Sequence, residues 1–139
     1  MPISPEVQAF ASGFPVTLLH VSVSTALLLA AAALYIWLTP HKEIALVRAG
    51  NVAAAIDLGG VLIGLALPLA FSLKGSTSIV DVALWGVATV AVQLLVFRLV
   101  DLVLHGLPKR IQEGETAAAA LLAGAKLATA MIVAAAVAA

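Results

Sequence analysis

Four long apolar runs, separated by short polar breaks, dominate the chain. They cover residues 16–38, 52–71, 80–104 and 116–138. About 20 consecutive apolar residues suffice for an α-helix to cross the hydrocarbon core of a bilayer, so each run is predicted to be a transmembrane helix. Closed barrels are the other spanning solution, and their strands alternate apolar and polar residues over about ten positions. Stretches such as LLLAAAALYIWL and AALLAGAKLATAMIVAAAVA do not alternate. Helices are therefore expected throughout.

The breaks are compact. Thr39-Pro40-His41-Lys42-Glu43 ends the first run, because Pro40 disfavours helix at the residue before it. Lys74-Gly75-Ser76-Thr77-Ser78 reads as a polar turn, and His105-Gly106-Leu107-Pro108-Lys109-Arg110 closes the third run. Only a short amphipathic turn near residues 44–49 fits outside the spans. The first run is expected to persist as a span rather than be cleaved as a signal peptide: no Lys or Arg precedes Lys42, and the run is long enough to cross.

Composition narrows the class. The 139 residues are 63% hydrophobic and 10% charged, with a mean hydropathy of +1.17, against roughly 45–50% and about 25% in soluble domains. The length suits a single integral domain, residues 1–139. Seven Lys and Arg balance seven Asp and Glu, leaving no basic face for nucleic acid. The absence of Cys excludes disulfides, Fe–S clusters and thiol nucleophiles. No nucleophile sits near a base, and no phosphate loop or metal-binding helix motif occurs. Neither enzymatic activity nor a cofactor is expected.

Orientation follows the Lys and Arg bias of the loops. Lys42 and Arg48 lie in the first loop and Lys109 and Arg110 in the third, whereas the second offers Lys74 alone. Both termini are therefore expected on the non-cytoplasmic side.

A 64-residue shift lays Gly50-Asn51-Val52-Ala53-Ala54-Ala55 on Gly114-Glu115-Thr116-Ala117-Ala118-Ala119. It also places Leu58 on Leu122, Gly60 on Gly124 and His41 on His105. This predicts two tandem two-helix repeats, about residues 14–75 and 78–139, in the same orientation. The run Gly50-Asn51-Val52-Ala53-Ala54-Ala55-Ile56-Asp57-Leu58-Gly59-Gly60, with Gly64 four residues on, resembles the YjfL-like family of bacterial inner-membrane proteins, known as a domain of unknown function (DUF350). The resemblance implies an inner-membrane location and no particular activity. The second copy departs from the motif at Glu115, Leu121 and Ala128, so equivalence of the two copies is not implied.

Ionisable residues inside a span are costly and are read as functional-site candidates. Asp57, Arg98, Asp101 and Lys126 are such residues, all in the cytoplasmic half by their distance from the span ends at about 1.5 Å per residue. Their charges sum to zero. On the second span, Ala53, Asp57, Gly60, Gly64 and Pro68 share one stripe, and Gly60-x3-Gly64 is a close-packing spacing. Asp57 is thus expected to face protein, paired with Lys126 or Arg98. On the third span, Gln93, Arg98, Asp101 and His105 share one polar arc. On the fourth, Ala120, Gly124 and Ala128 form a second small-residue ridge, on a face other than that of Lys126.

The remaining polar residues add less. His20 is expected to make an interfacial hydrogen bond, and Tyr35, Trp37 and Trp85 fit an interfacial aromatic belt. His41, His105 and Glu43 lack the firm further ligand that a metal site needs. Two functions stay open. One is an oligomeric channel- or transporter-like protein, or one serving envelope homeostasis, whose charges face a hydrated path. The other is a non-catalytic scaffold or accessory subunit whose charges are dry and mutually paired. The expected partners are the lipid bilayer and further copies of the chain or a larger membrane complex.

Overall fold

The computed structural model describes residues 2–39, 43–76 and 78–138. Six helices form among them: α1 (Pro5–Leu38), α2 (Glu43–Arg48), α3 (Val52–Gly75), α4 (Ile79–Val103), α5 (Leu107–Gln112) and α6 (Thr116–Ala138). α1, α3, α4 and α6 are each long and apolar enough to cross a membrane. Short helices α2 and α5 sit at one end of the bundle, called here the α2/α5 end. His41, Lys42, Pro40 and Thr77, which figured in the loop and repeat readings, lie outside the described residues.

α1 starts earlier than its apolar run. Ser4 Oγ accepts a hydrogen bond from the Val7 amide at 3.3 Å, and Pro5 occupies the first turn, where its missing N–H costs nothing. This cap sets the helix start ahead of the hydrophobic window. At about 1.5 Å per residue, the 34 residues of α1 extend well beyond a hydrocarbon core of about 30 Å. Its first half is exposed, and its buried residues, Ser24, Ala31, Ala32 and Tyr35, all lie further along.

The short helices end in the same turn. Gly50 has φ 90° and Gly114 φ 85°, a left-handed conformation that glycine adopts without strain. In the first turn the Gly50 amide donates to Val47 O at 3.0 Å and that of Asn51 to Leu46 O at 2.9 Å. In the second, Gly114 donates to Ile111 O at 2.9 Å and Glu115 to Arg110 O at 3.1 Å. Both are Schellman closures, 64 residues apart. Asn51 then caps α3, its Oδ1 accepting from the Ala54 amide at 3.0 Å.

α3 is the centre of the bundle, touching α1, α4 and, most extensively, α6. Small residues allow the α3–α6 approach. A Cβ on Gly60 would lie 2.7 Å from Ala123 Cβ and 3.1 Å from its Cα. Among apolar helices in lipid, such close backbone contact, rather than exclusion of water, supplies the attraction. Towards the α2/α5 end, Ala53, Ala54, Ile111, Ala118, Ala119 and Leu122 pack as one cluster, while Ala31, Ala32, Tyr35, Val61, Leu65, Leu94 and Phe97 form another deeper in.

The second small-residue ridge is not part of this packing. Ala120, Gly124 and Ala128 are exposed, and a Cβ on Gly124 would meet nothing within 4 Å. The packed face of α6 carries Ala119, Ala123, Lys126, Ala130 and Ala134 instead. With alanine at so many positions, every face of α6 has small residues, and the charge of Lys126 decides which one turns inward.

Candidate functional site

Lys126, Asp57, Asp101 and Tyr35 converge between the four spans. Their approach follows from helix direction, since side chains lean towards the N-terminus of their own helix. α3 and α6 begin at the α2/α5 end, so Asp57 and Lys126 lean towards that end. α1 and α4 run the other way, so Tyr35 and Asp101 lean inwards from it. All four tips thus reach a common level.

Lys126 Nζ lies 3.3 Å from Asp57 Oδ1 and 3.0 Å from Asp101 Oδ1. It donates a hydrogen bond to Tyr35 Oη at 2.5 Å, and the Tyr35 hydroxyl donates to Asp101 Oδ2 at 3.3 Å. The Lys126 and Asp57 side chains are 0% and 1% exposed, that of Asp101 8%. The Phe97 ring stands edge-on to Tyr35 with centroids 6.0 Å apart. It fits because α3 offers Gly64: a Cβ there would lie 2.6 Å from Phe97 Cζ. Glu43, fully buried on α2, is close enough to act electrostatically on Asp57 and Tyr35.

Arg98 stands apart from the inner group. Its side chain is 38% exposed, and its guanidinium reaches Asp101 Oδ2 only at 4.0 Å. It lines a cleft of about 310 Å³ with Thr39, Asp101, His105, Lys109 and Gln112. Asp101 is therefore the link, touching the cleft on one side and Lys126 on the other. Gln93 is fully buried two turns deeper on α4, and neither its Oε1 nor its Nε2 has a hydrogen-bond partner among the described residues. The same holds for Thr89 Oγ1, a further turn along that face, and for Ser24 Oγ on α1.

The other sequence candidates fall into place around this core. Ala53, Gly60 and Gly64 are buried on the face of α3 that carries Asp57. Asn51 Nδ2 donates to Ile111 O at 2.9 Å and Gln112 O at 3.3 Å, tying the start of α3 to the end of α5. Glu115, its counterpart under the 64-residue shift, instead pairs with Arg110 through both carboxylate oxygens. That guanidinium holds the Glu115 carboxyl below its usual range, and the carboxylate in turn raises the Arg110 guanidinium. His20 is half-buried and His105 exposed.

Tyr35 departs from the belt expected for it: it is 1% exposed, whereas Trp37 is 78% and Trp85 56% exposed. Its hydroxyl bridges Lys126 and Asp101, which an interfacial position would prevent. The signal was present in the sequence, since Tyr35 follows Ala31 and Ala32 at helical spacing, on the small-residue face. Glu43 was missed as a member of the group because an acid beside a basic loop looks solvated.

The family model described as Domain of Unknown Function (DUF350) matches residues 9–137. The chain belongs to the DUF350 family. Similar to this DUF350 member is the UPF0719 inner membrane protein YjfL of Escherichia coli (strain K12), 36% identical over 95 residues, or 68% of this chain and 72% of the relative. The protein of the same name from Escherichia coli O157:H7 matches with the same figures. No solved structure matches. With its four membrane-capable helices and this kinship, the DUF350 member is a multi-pass inner-membrane protein.

Proposed function

We propose that this DUF350 member is a non-enzymatic, proton-handling membrane protein of the channel or transporter kind, acting as an oligomer. The observation that carries the reading is Lys126, fully buried between two carboxylates, one of which opens to a cleft. The group sets the acids Asp57 and Asp101 against Lys126, with Arg98 at the rim. Buried acids beside a cation mark proton relays in membranes. Asp101 takes the proton from the cleft. Lys126 then hands one of its ammonium protons to Asp57 Oδ1, 3.3 Å away, and its neutral amine is reprotonated by Asp101, whose Oδ1 lies 3.0 Å from Nζ.

The α2/α5 end, which carries Arg48, Lys109 and Arg110, belongs in the cytoplasm by the Lys and Arg rule, with both termini outside. Cysteines at Ser4 and Ser76 then react with an impermeant thiol reagent in intact cells and one at Gln112 does not; the opposite labelling reverses the orientation. The matching glycine turns support two tandem repeats. The outward ridge Ala120, Gly124 and Ala128 supports self-association, because small residues on a lipid-facing surface permit close helix contact.

A second reading is favoured by the near-complete burial of Lys126 and Asp57: a dry ion pair that fixes helix register in a scaffold or accessory subunit. Proteoliposomes carrying an internal pH dye separate the two. Under an imposed potential the relay gives proton flux above protein-free vesicles, and Asp57→Asn removes it. Absence of flux from the natural sequence discards the relay and leaves the scaffold.

A further inference from the structure

We propose that the cleft at the α2/α5 end holds the headgroup of an anionic phospholipid, whose acyl chain lies along α4. The cleft, about 310 Å³, is lined by the cations Arg98 and Lys109 together with the polar residues His105 and Gln112. The one carboxylate on its wall, Asp101, is already engaged by Lys126 and Tyr35, so it does little to neutralise the two cations. Arg98 keeps more than a third of its side chain exposed inside a span and meets Asp101 only at 4.0 Å. A guanidinium at this depth is costly without a partner, and its planar donors suit a phosphate oxygen pair.

The walls point to a lipid rather than a free anion. Leu102 forms part of the cleft, and Leu95, Leu99 and Leu102 are each more than half exposed. At spacings of four and three residues they share with Arg98 one outward face of α4, and the row runs from the cleft towards the bilayer centre. An amphiphile with an anionic head and an apolar tail matches that sequence of surfaces. Basic pockets between spans at a membrane interface bind such heads. The inference stands on the cleft alone and does not depend on proton movement through the interior.

The test is lipid retention by native mass spectrometry from mixed micelles holding equal amounts of phosphatidylglycerol and phosphatidylcholine. The full chain is expected to retain phosphatidylglycerol preferentially. Arg98→Gln and Lys109→Gln should each reduce that retention by about fivefold, the factor expected for one cation at an anionic surface. Lys74→Gln, at the opposite end, should leave it unchanged. Lys109 is exposed, so Lys109→Gln carries the test even if Arg98→Gln fails to fold. Equal retention of the two lipids, equal loss in Lys74→Gln, or displacement of the lipid by millimolar inorganic phosphate overturns the proposal.

Discussion

Replacing Lys126 by Met should destabilise the bundle more than any other single change to the buried group. Lys126 Nζ stands 3.3 Å from one carboxylate and 3.0 Å from another. At an effective dielectric of about 20, unit charges ~3 Å apart attract by about 5 kcal/mol before desolvation is subtracted. Removing the cation between them leaves two carboxylates facing each other, and losing one partner of a buried pair costs about 3–5 kcal/mol. Asp57→Asn should cost less, because Lys126 keeps Asp101 and Tyr35. In the double variant Asp57→Asn with Lys126→Met, Asp101 retains Arg98 as its neighbour, so part of the single-variant loss should be recovered. Reversible unfolding of the purified protein in mixed micelles yields all four corners of the cycle. Coupling below about 0.5 kcal/mol, the size of the usual additivity error, would refute the pairing and with it the account of why α6 turns this face inward.

Gly60 and Gly124, one of the glycine pairs that the 64-residue shift aligns, should behave oppositely. Gly60→Ala presses its new methyl into Ala123 and should cost about 1–3 kcal/mol, while Gly124→Ala should leave the thermal midpoint in detergent unchanged or raised. Equal midpoints would contradict the α3–α6 contact. Asn51→Ala removes the α3 cap and both bonds to the end of α5. It should lower stability by about 0.5–2 kcal/mol, the usual range for a lost cap, read by denaturant titration. Because the Glu115 carboxyl is held below its ordinary value of 4.5, its pairing contributes fully above that pH and is lost as pH falls through the lower folded value. Amide exchange in the α5–α6 turn should therefore accelerate below about pH 4.5 relative to the rest of the chain, and Glu115→Gln should abolish the difference. A pH-independent turn would show the pair to be inert.

The membrane class, the four spans and the stripe Ala53–Asp57–Gly60–Gly64 were legible in the sequence because each depends on local quantities. Twenty apolar residues need a bilayer wherever the chain folds, and helical periodicity alone puts Asp57 beside the glycines. The 64-residue shift aligned Gly50 with Gly114, but the left-handed turn with which each closes a short helix emerged only in the structure. Sequence alone left open which cation Asp57 meets, and on the fourth span it singled out the ridge Ala120, Gly124 and Ala128. Tertiary structure decided both. Lys126 leans towards the same end as Asp57 and is brought to it by the α3–α6 contact, whereas Arg98 points to the cleft. That choice turns Ala119 and Ala123 inward and Ala120 and Gly124 outward. The roles of Tyr35 and Glu43 were likewise decided only by packing: an amphipathic ring or an acid near a span end suits water or interior equally well, until a neighbouring helix supplies the charge it must meet.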